Sequence, residues 1–227
     1  GCGKSLSAKA IGRYWGLPLL RLDLGRVFDG RNSPDETLRD ALSMSEALSP
    51  CVLWMDEIEK GFARDSDGRA VRVLGSLLTW LQEKTAPVFL VATANQVEDL
   101  PPELLRKGRF DEIFFVDLPE HADRREILRI HLQKRRRIMG DEVLDELAKR
   151  TEHFSGSELE QVVVSALYSA FAARRELTSD DLVFAIRDTV PLYQTYEEKI
   201  KALREWAENR ARSASSRRRV LDFFDNA

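Results

Sequence analysis

The chain has 227 residues, 43% of them hydrophobic and 32% charged, with a formal net charge of −3, a balance that suits a globular chain of one or two domains and gives no global pull toward nucleic acid. No apolar run approaches the ~18 residues of a membrane span, and the opening residues are polar and glycine-rich, unlike a secretory signal. Two cysteines, Cys2 and Cys51, and three histidines, His121, His131 and His153, fall at no metal-ligand spacing, which points to a reducing compartment without structural zinc.

The first five residues, GCGKS, match the end of the phosphate loop G-x-x-x-x-G-K-[ST]. The first glycine of that motif would stand three residues before Gly1, so the chain is expected to open inside the motif, and the lack of a leading methionine points the same way. A helix is predicted from Ser5 to Trp15, then a buried strand over Leu17 to Leu24, bounded by Gly16 and Gly25. The turn-rich run from Asp29 to Pro34 leads to a helix from Asp35 to about Leu48, with Ser33 or Asp35 able to cap it. PCVLWMDE, Pro50 to Glu57, reads as an apolar strand ending in two acids. Asp65 to Gly68 reads as a loop, Val71 to Lys84 as an amphipathic helix, and Val88 to Asn95 as a strand with a polar tip. Glu112 to Pro119 is predicted as the last strand.

Strands alternating with helices imply a parallel doubly wound sheet whose ligands lie beyond the carboxyl ends of the strands. Lys4, Asp56 and Asn95 all fall at that edge. After Pro119 the strands stop and helices follow at Ala122 to Arg135, Glu142 to Thr151, Ser157 to Glu176 and Ser179 to Val190. In the third of these, Leu159, Val162, Val163, Ala166, Leu167, Ala170 and Phe171 recur at helical spacing and are read as core. The division is therefore an α/β domain over 1–119, a small helical domain over 120–190 and a terminal helix and tail over 191–227. The terminal helix, Pro191 to about Arg212, sets Tyr196, Ile200, Leu203 and Ala207 on one side, and no internal repeat is present. The tail is basic, with Lys199, Lys201, Arg204, Arg210, Arg212, Arg217, Arg218 and Arg219 against Glu205 and Glu208, a pattern read first as a solvated helix face.

Backbone N–H groups of a glycine-rich loop at a helix N-terminus point at phosphate oxygens, and the helix dipole favours negative charge there. Gly1, Cys2, Gly3, Lys4, Ser5 and Leu6 would form this cradle, Lys4 reaching the β- and γ-phosphates and Ser5 ligating Mg²⁺. A plain glycine turn before a helix is the competing reading. Asp56 and Glu57, delivered by a buried strand, would hold the Mg²⁺ shell and polarise the attacking water, although a strand ending in Asp-Glu also arises by chance. Asn95 is placed to contact the γ-phosphate or the water, or merely to cap its strand. Arg106 and Arg109, three apart in a glycine-containing turn, are badly placed for their own site and suit that of a neighbouring copy. Such a finger is worth ~10³ to 10⁵ in rate, whereas salt bridging to Glu103, Asp111 or Glu112 would be worth at most ~1 kcal/mol.

GCGKS, VLWMDE, ATAN and LLRKGRFD, in this order and spacing, resemble the AAA+ ATPases, and the helical domain containing HFSGSELE, His153 to Glu160, looks like their lid. The resemblance covers Gly1 to about Val190. LRKGRFDEIFFVDLP, RELTSDDLVFAIRDTVPL and the helix EKIKALREWAENRA are most similar to an AAA family of plastids and cyanobacteria named for hypothetical chloroplast reading frame forty-six. The resemblance implies a P-loop NTPase fold with a helical lid, ATP and Mg²⁺ as cofactors, and ATP hydrolysis in a ring, usually a homohexamer. Lys4, Ser5, Asp56, Glu57 and Asn95 would serve one site and Arg106 and Arg109 the adjacent one, with Gly156 and Ser157 as the adenine-side lid contact. It also implies a cytoplasmic location, or the plastid stroma for a plastid-derived chain, and a macromolecular substrate, most readily a protein.

Two features depart from the family pattern. The strand that precedes the phosphate loop is missing, which would leave a gap between the strand ending at Asn95 and the one ending at Pro119. Where ring translocases carry an aromatic-hydrophobic-glycine loop after the second strand, this chain reads RVFDGRNSPDE, and Phe28 with Gly30 matches imperfectly. Three functions follow in order: an ATP-driven remodelling ATPase, a nucleotide-dependent scaffold that assembles without using hydrolysis for work, and, from the basic tail alone, a DNA remodeller.

Overall fold

A computed structural model describes residues 1–28, 33–62, 68–106 and 108–214. The expectations that fall on Asp29 to Asn32, Asp65 to Asp67 and Arg217 to Arg219 lie outside these residues. The chain forms two compact units, one running from Lys4 to Ile113 and the other joining Gly1–Gly3 to the residues from Phe114 onward.

In the first unit, helix α1 (Lys4–Trp15) leads to strand β1 (Leu19–Leu22), the short helix α2 (Leu24–Phe28), helix α3 (Pro34–Ala47), strand β2 (Cys51–Met55), helix α4 (Arg69–Glu83) and strand β3 (Val88–Ala92). The three strands are parallel in the order β1-β2-β3, and Leu20, Leu53 and Leu90 stand in register across them. Strand β2 is the middle one and is buried at every position, which is why CVLWM reads as an unbroken apolar run rather than an alternating one. Its neighbours in the core include Leu24, Val27, Leu38, Leu42, Val73 and Leu77 from the covering helices. Phe28 also packs against this cluster. Ser33 is the N-cap of α3, but neither expected capping side chain accepts a helix N–H; the Ser33 hydroxyl donates to Asp35 within the first turn instead.

The expected fourth strand is corrected. Of Glu112 to Pro119, only Phe114–Phe115 (β4) is extended and paired, and its partner is not the central sheet but Arg212–Ser213 (β5), in parallel, with Ala214 N–H donating to the Phe115 carbonyl at 2.9 Å. Local sequence cannot show such a partner, because the two halves of this ladder lie about a hundred residues apart in the chain.

The second unit contains helices α5 (His121–Lys134), α6 (Asp141–Arg150), α7 (Gly156–Ala172), α8 (Ser179–Asp188) and α9 (Tyr193–Glu208). Its core is leucine-rich: Leu128 and Leu132 of α5, Leu144 and Leu147 of α6 and Leu182 of α8 close around Leu159, Val162, Val163 and Ala166 of α7. Phe171 is a second correction, for it is 81% exposed. At 100° per residue it stands about 120° from Leu159, beyond the edge of an apolar stripe centred near Leu159. Ser155 begins α7 with a reciprocal cap in which its hydroxyl accepts from Glu158 N–H and its own N–H donates to Glu158 Oε2 at 2.7 Å. The other carboxylate oxygen of Glu158 accepts the Leu192 N–H at 2.6 Å, tying the start of α7 to the start of α9. Arg204 of α9 grips Asp117 with two bonds, at 2.8 and 3.0 Å, while Lys201 pairs with Glu197 and Arg210 lies over Trp206. These described members of the basic run are thus engaged by their own chain. Among the described residues, no helix is long and apolar enough to cross a membrane.

Candidate functional site

The carboxyl ends of β2 and β3 and the head of α1 converge on one carboxylate. Asp56 follows directly on β2, and its Oδ1 accepts Ser5 Oγ at 3.0 Å and Thr93 Oγ1 at 2.7 Å. Its Oδ2 faces Arg21 of β1 at 3.5 Å. Thr93, just past β3 and 6% exposed, also receives the Glu57 N–H on its hydroxyl at 3.1 Å. Parallel register explains the convergence: Met55 pairs with Ala92, so the residues after each strand emerge at the same level.

Glu57 has left-handed backbone, φ 52° and ψ 55°, and opens a 3-10 turn over Ile58–Gly61. A non-glycine residue in that region is uncommon and clusters at functional sites. Its carboxylate is held by Asn95, whose Nδ2 donates to Oε1 at 2.9 Å, and by the ammonium of Lys60, which bonds Oε2. Asn95 is fixed in turn because its own N–H donates to Oε1 of the buried Glu59 at 3.0 Å. Gly61 lets the turn lie flat on α2, since a Cβ there would stand 2.8 Å from Leu24 Cβ.

Lys4 opens α1 half-buried and makes no ion pair among the described residues, and Leu6 is exposed on the same helix. Arg106 is exposed after a 3-10 turn, Pro102–Leu105, and the chain then passes through Gly108 at φ +90°. Arg109 is half-buried, and its Nη1 donates to the Leu78 carbonyl of α4 at 2.8 Å instead of pairing with the acids of its own loop.

Within the other unit, Gly1 meets the expected lid residues. Its carbonyl accepts the Ser157 N–H at 3.2 Å, and a Cβ on Gly156 would stand 3.0 Å from that carbonyl oxygen. Cys2 is half-buried, and Gly3 has φ +95°, a conformation that L side chains rarely adopt and that the loop needs to turn into α1.

Thr93, Arg21, Lys60 and Glu59 were not singled out in sequence. Thr93 and Arg21 meet Asp56 only once the order of the strands is known. Lys60 and Glu59 follow the Asp-Glu pair closely, and their spacing would have sufficed had the 3-10 turn been foreseen.

The oxygen set fits Mg²⁺. That ion takes oxygen ligands octahedrally at about 2.0–2.1 Å, which sets adjacent ligands about 2.9 Å apart, and Ser5 Oγ and Asp56 Oδ1 stand 3.0 Å apart. A lysine and a backbone turn at the head of the same helix add the chemistry that a polyphosphate needs.

A parallel sheet with the end of a phosphate loop and an Asp-Glu strand end, accompanied by a helical lid, defines the P-loop NTPase fold. Residues 1–118 match the ATPase family associated with various cellular activities (AAA), and residues 141–183 match the AAA+ lid domain. The chain belongs to the AAA family. It is 48% identical over 222 residues to the AAA domain-containing protein ycf46 of Pyropia yezoensis, covering 95% of this chain and 45% of that one. It is 44% identical over 213 residues to the ycf46 protein of Guillardia theta, covering 91% and 42%. The ATP-dependent zinc metalloprotease FtsH of Acidothermus cellulolyticus is 36% identical over 205 residues, covering 85% of this chain and 30% of that protein. The chain thus spans less than half the length of these relatives.

Proposed function

We propose that the chain is the motor module of an Mg-ATP-dependent remodelling ATPase that works as a ring, most simply a homohexamer, on a macromolecular partner such as a protein. The observation that carries the reading is the meeting of Ser5, Asp56, Glu57, Thr93 and Asn95 at the ends of adjacent strands. ATP supplies the phosphoanhydride bond, and Mg²⁺ neutralises charge on its oxygens. Ser5 and Asp56 hold the metal, Lys4 binds the outer phosphates, and the amides of Gly1 to Leu6 cradle them. Glu57 accepts the proton of the attacking water, and Asn95 keeps its carboxylate aimed. Gly156 and Ser157 close on the adenine side. Arg106, exposed and without an ion-pair partner among the described residues, reaches the site of the next protomer, and Arg109 braces the loop that presents it.

A positioned base contributes ~10² to 10⁴ in rate. Glu57→Gln should therefore abolish turnover in the intact protein while leaving ATP affinity within about two-fold, as measured by steady-state hydrolysis and calorimetric titration. Normal hydrolysis by that variant would sink the assignment.

One observation favours the scaffold as a second reading. Phe28, the aromatic residue offered for gripping a threaded chain, packs against the core of its own unit. The same variant separates the two: a scaffold keeps nucleotide-dependent assembly and its biological effect without turnover, and a remodeller loses the effect and traps its substrate.

A further inference from the structure

The 3-10 turn after β2 holds a lysine that the phosphate-site motifs do not include. Lys60 stands three residues beyond Glu57, which precedes the 3-10 helix, and its N–H donates to the Glu57 carbonyl at 3.0 Å. The left-handed backbone of Glu57 directs its carboxylate between Asn95 on the β3 side and Lys60 on the turn, so that Oε1 takes an amide donor and Oε2 an ammonium. A planar carboxylate held by donors at both oxygens has lost rotation about its last torsion. As a contribution to stability, an exposed pair three residues apart counts for little. As a constraint on direction its weight is different, because a misplacement of about 1 Å at a reacting group can cost ~10² in rate.

We propose that Lys60 is a positioning residue for the general base: together with Asn95 it fixes the plane and direction of the Glu57 carboxylate in which the attacking water is met. This rests on the assignment of Glu57 made above. The turn is built to hold this arrangement. Glu59 buries its side chain and anchors the Asn95 N–H, and Gly61 lets the turn sit on Leu24. Among the described residues, Glu57 first, then Glu59 and Asp23, raise the Lys60 ammonium above the usual lysine range.

The test is a double-mutant cycle in the intact protein with Mg-ATP, joined to a measurement that needs no turnover. Lys60→Met should lower kcat roughly ten- to hundred-fold with KM for ATP within about two-fold, and Lys60→Arg should recover most of the loss. In single-turnover assays, adding Lys60→Met to Glu57→Gln should cost nothing further, because the group being aimed is gone. The side-chain ¹⁵N resonance of Lys60 should move in Glu57→Gln. Wild-type kcat in Lys60→Met, or a loss of the same size in both backgrounds, overturns the proposal. A wild-type protein that hydrolyses no ATP overturns the proposed function instead. The Lys60 resonance then still judges the pair, and its failure to respond to Glu57→Gln refutes the contact itself.

Discussion

Thr93 shows how much of the site one small side chain can organise. Its hydroxyl donates to Asp56 and accepts from the Glu57 backbone, so Asp56 and Glu57, proposed above for the metal and the water, share one anchor on the neighbouring strand. Thr93→Val keeps the shape and removes both bonds, leaving a main-chain N–H without its partner. Loss of a group that orients a metal ligand typically costs 10- to 100-fold, so the Mg²⁺ needed for half-maximal ATP turnover should rise by about that factor while the circular dichroism spectrum is unchanged. In the other unit, Asp181 plays a comparable part for stability. It caps α8 by accepting the Thr178 N–H and hydroxyl and takes two bonds from Arg175, and these donors, Arg175 first, hold its carboxyl far below the usual carboxylate range. A carboxyl whose folded-state affinity for protons is lowered stabilises the fold above its unfolded value of about 4 and loses that contribution as the pH falls below it. Because Arg175 is half-exposed, its share is screened by solvent, and Asp181→Ala should cost about 2 kcal/mol in denaturant unfolding at pH 7. The difference between variant and wild type should shrink as the pH is lowered through 4 and below.

At the level of elements, the turn after β2 depends on close packing. Adding a methyl group at Gly61 brings a Cβ within 2.8 Å of Leu24 Cβ, so Gly61→Ala must displace either α2 or the turn that carries Glu57 and Lys60. The expected outcome is a loss of about 1–3 kcal/mol in stability with a fall in kcat that exceeds what the population of folded protein explains, read by unfolding and hydrolysis on the same samples. The elements differ in how plainly the sequence announced them. Strand β2 was legible because a central parallel strand is apolar on both faces, and its carboxyl end was legible because two acids interrupt that run. Helix α7 was legible in its start, read at Ser157 and found at Gly156, and in its buried face, but not at Phe171, where the helical phase had drifted past the core. The β4 pairing was not legible, since two residues carry too little pattern to name a partner at Arg212. The donors that complete the site were hidden for a related reason: Arg21 and Thr93 lie on different strands from Asp56, and only the order of the sheet brings them to it.

At the scale of the whole molecule, the chain belongs to the AAA family through both its core and its lid, while relatives such as ycf46 of Pyropia yezoensis extend well beyond the matched region. The ring proposed here makes a prediction that no single protomer can satisfy. Arg106→Ala removes the group offered to the neighbour but keeps Glu57, and Glu57→Gln does the reverse. Each variant alone should be inactive, whereas a mixture should recover a fraction of wild-type hydrolysis, because some interfaces then join an intact Glu57 to an intact Arg106. Recovery that disappears at dilutions where the assembly dissociates would tie the effect to association. Mixtures no more active than their components would refute the trans arrangement.

Trp54 gives the site an optical consequence. Its indole is 4% exposed, its Nε1 has no hydrogen-bond partner among the described residues, and the side chains of Lys9 and Arg21 lie over the ring at 5.6 and 4.9 Å. Arg21 is also the cation that faces Asp56. A change of charge at that carboxylate therefore alters the electric field on a chromophore already shielded from water, and the share of the intrinsic emission that Trp54 contributes among the four tryptophans becomes a gauge of the charge at Asp56, with no added label.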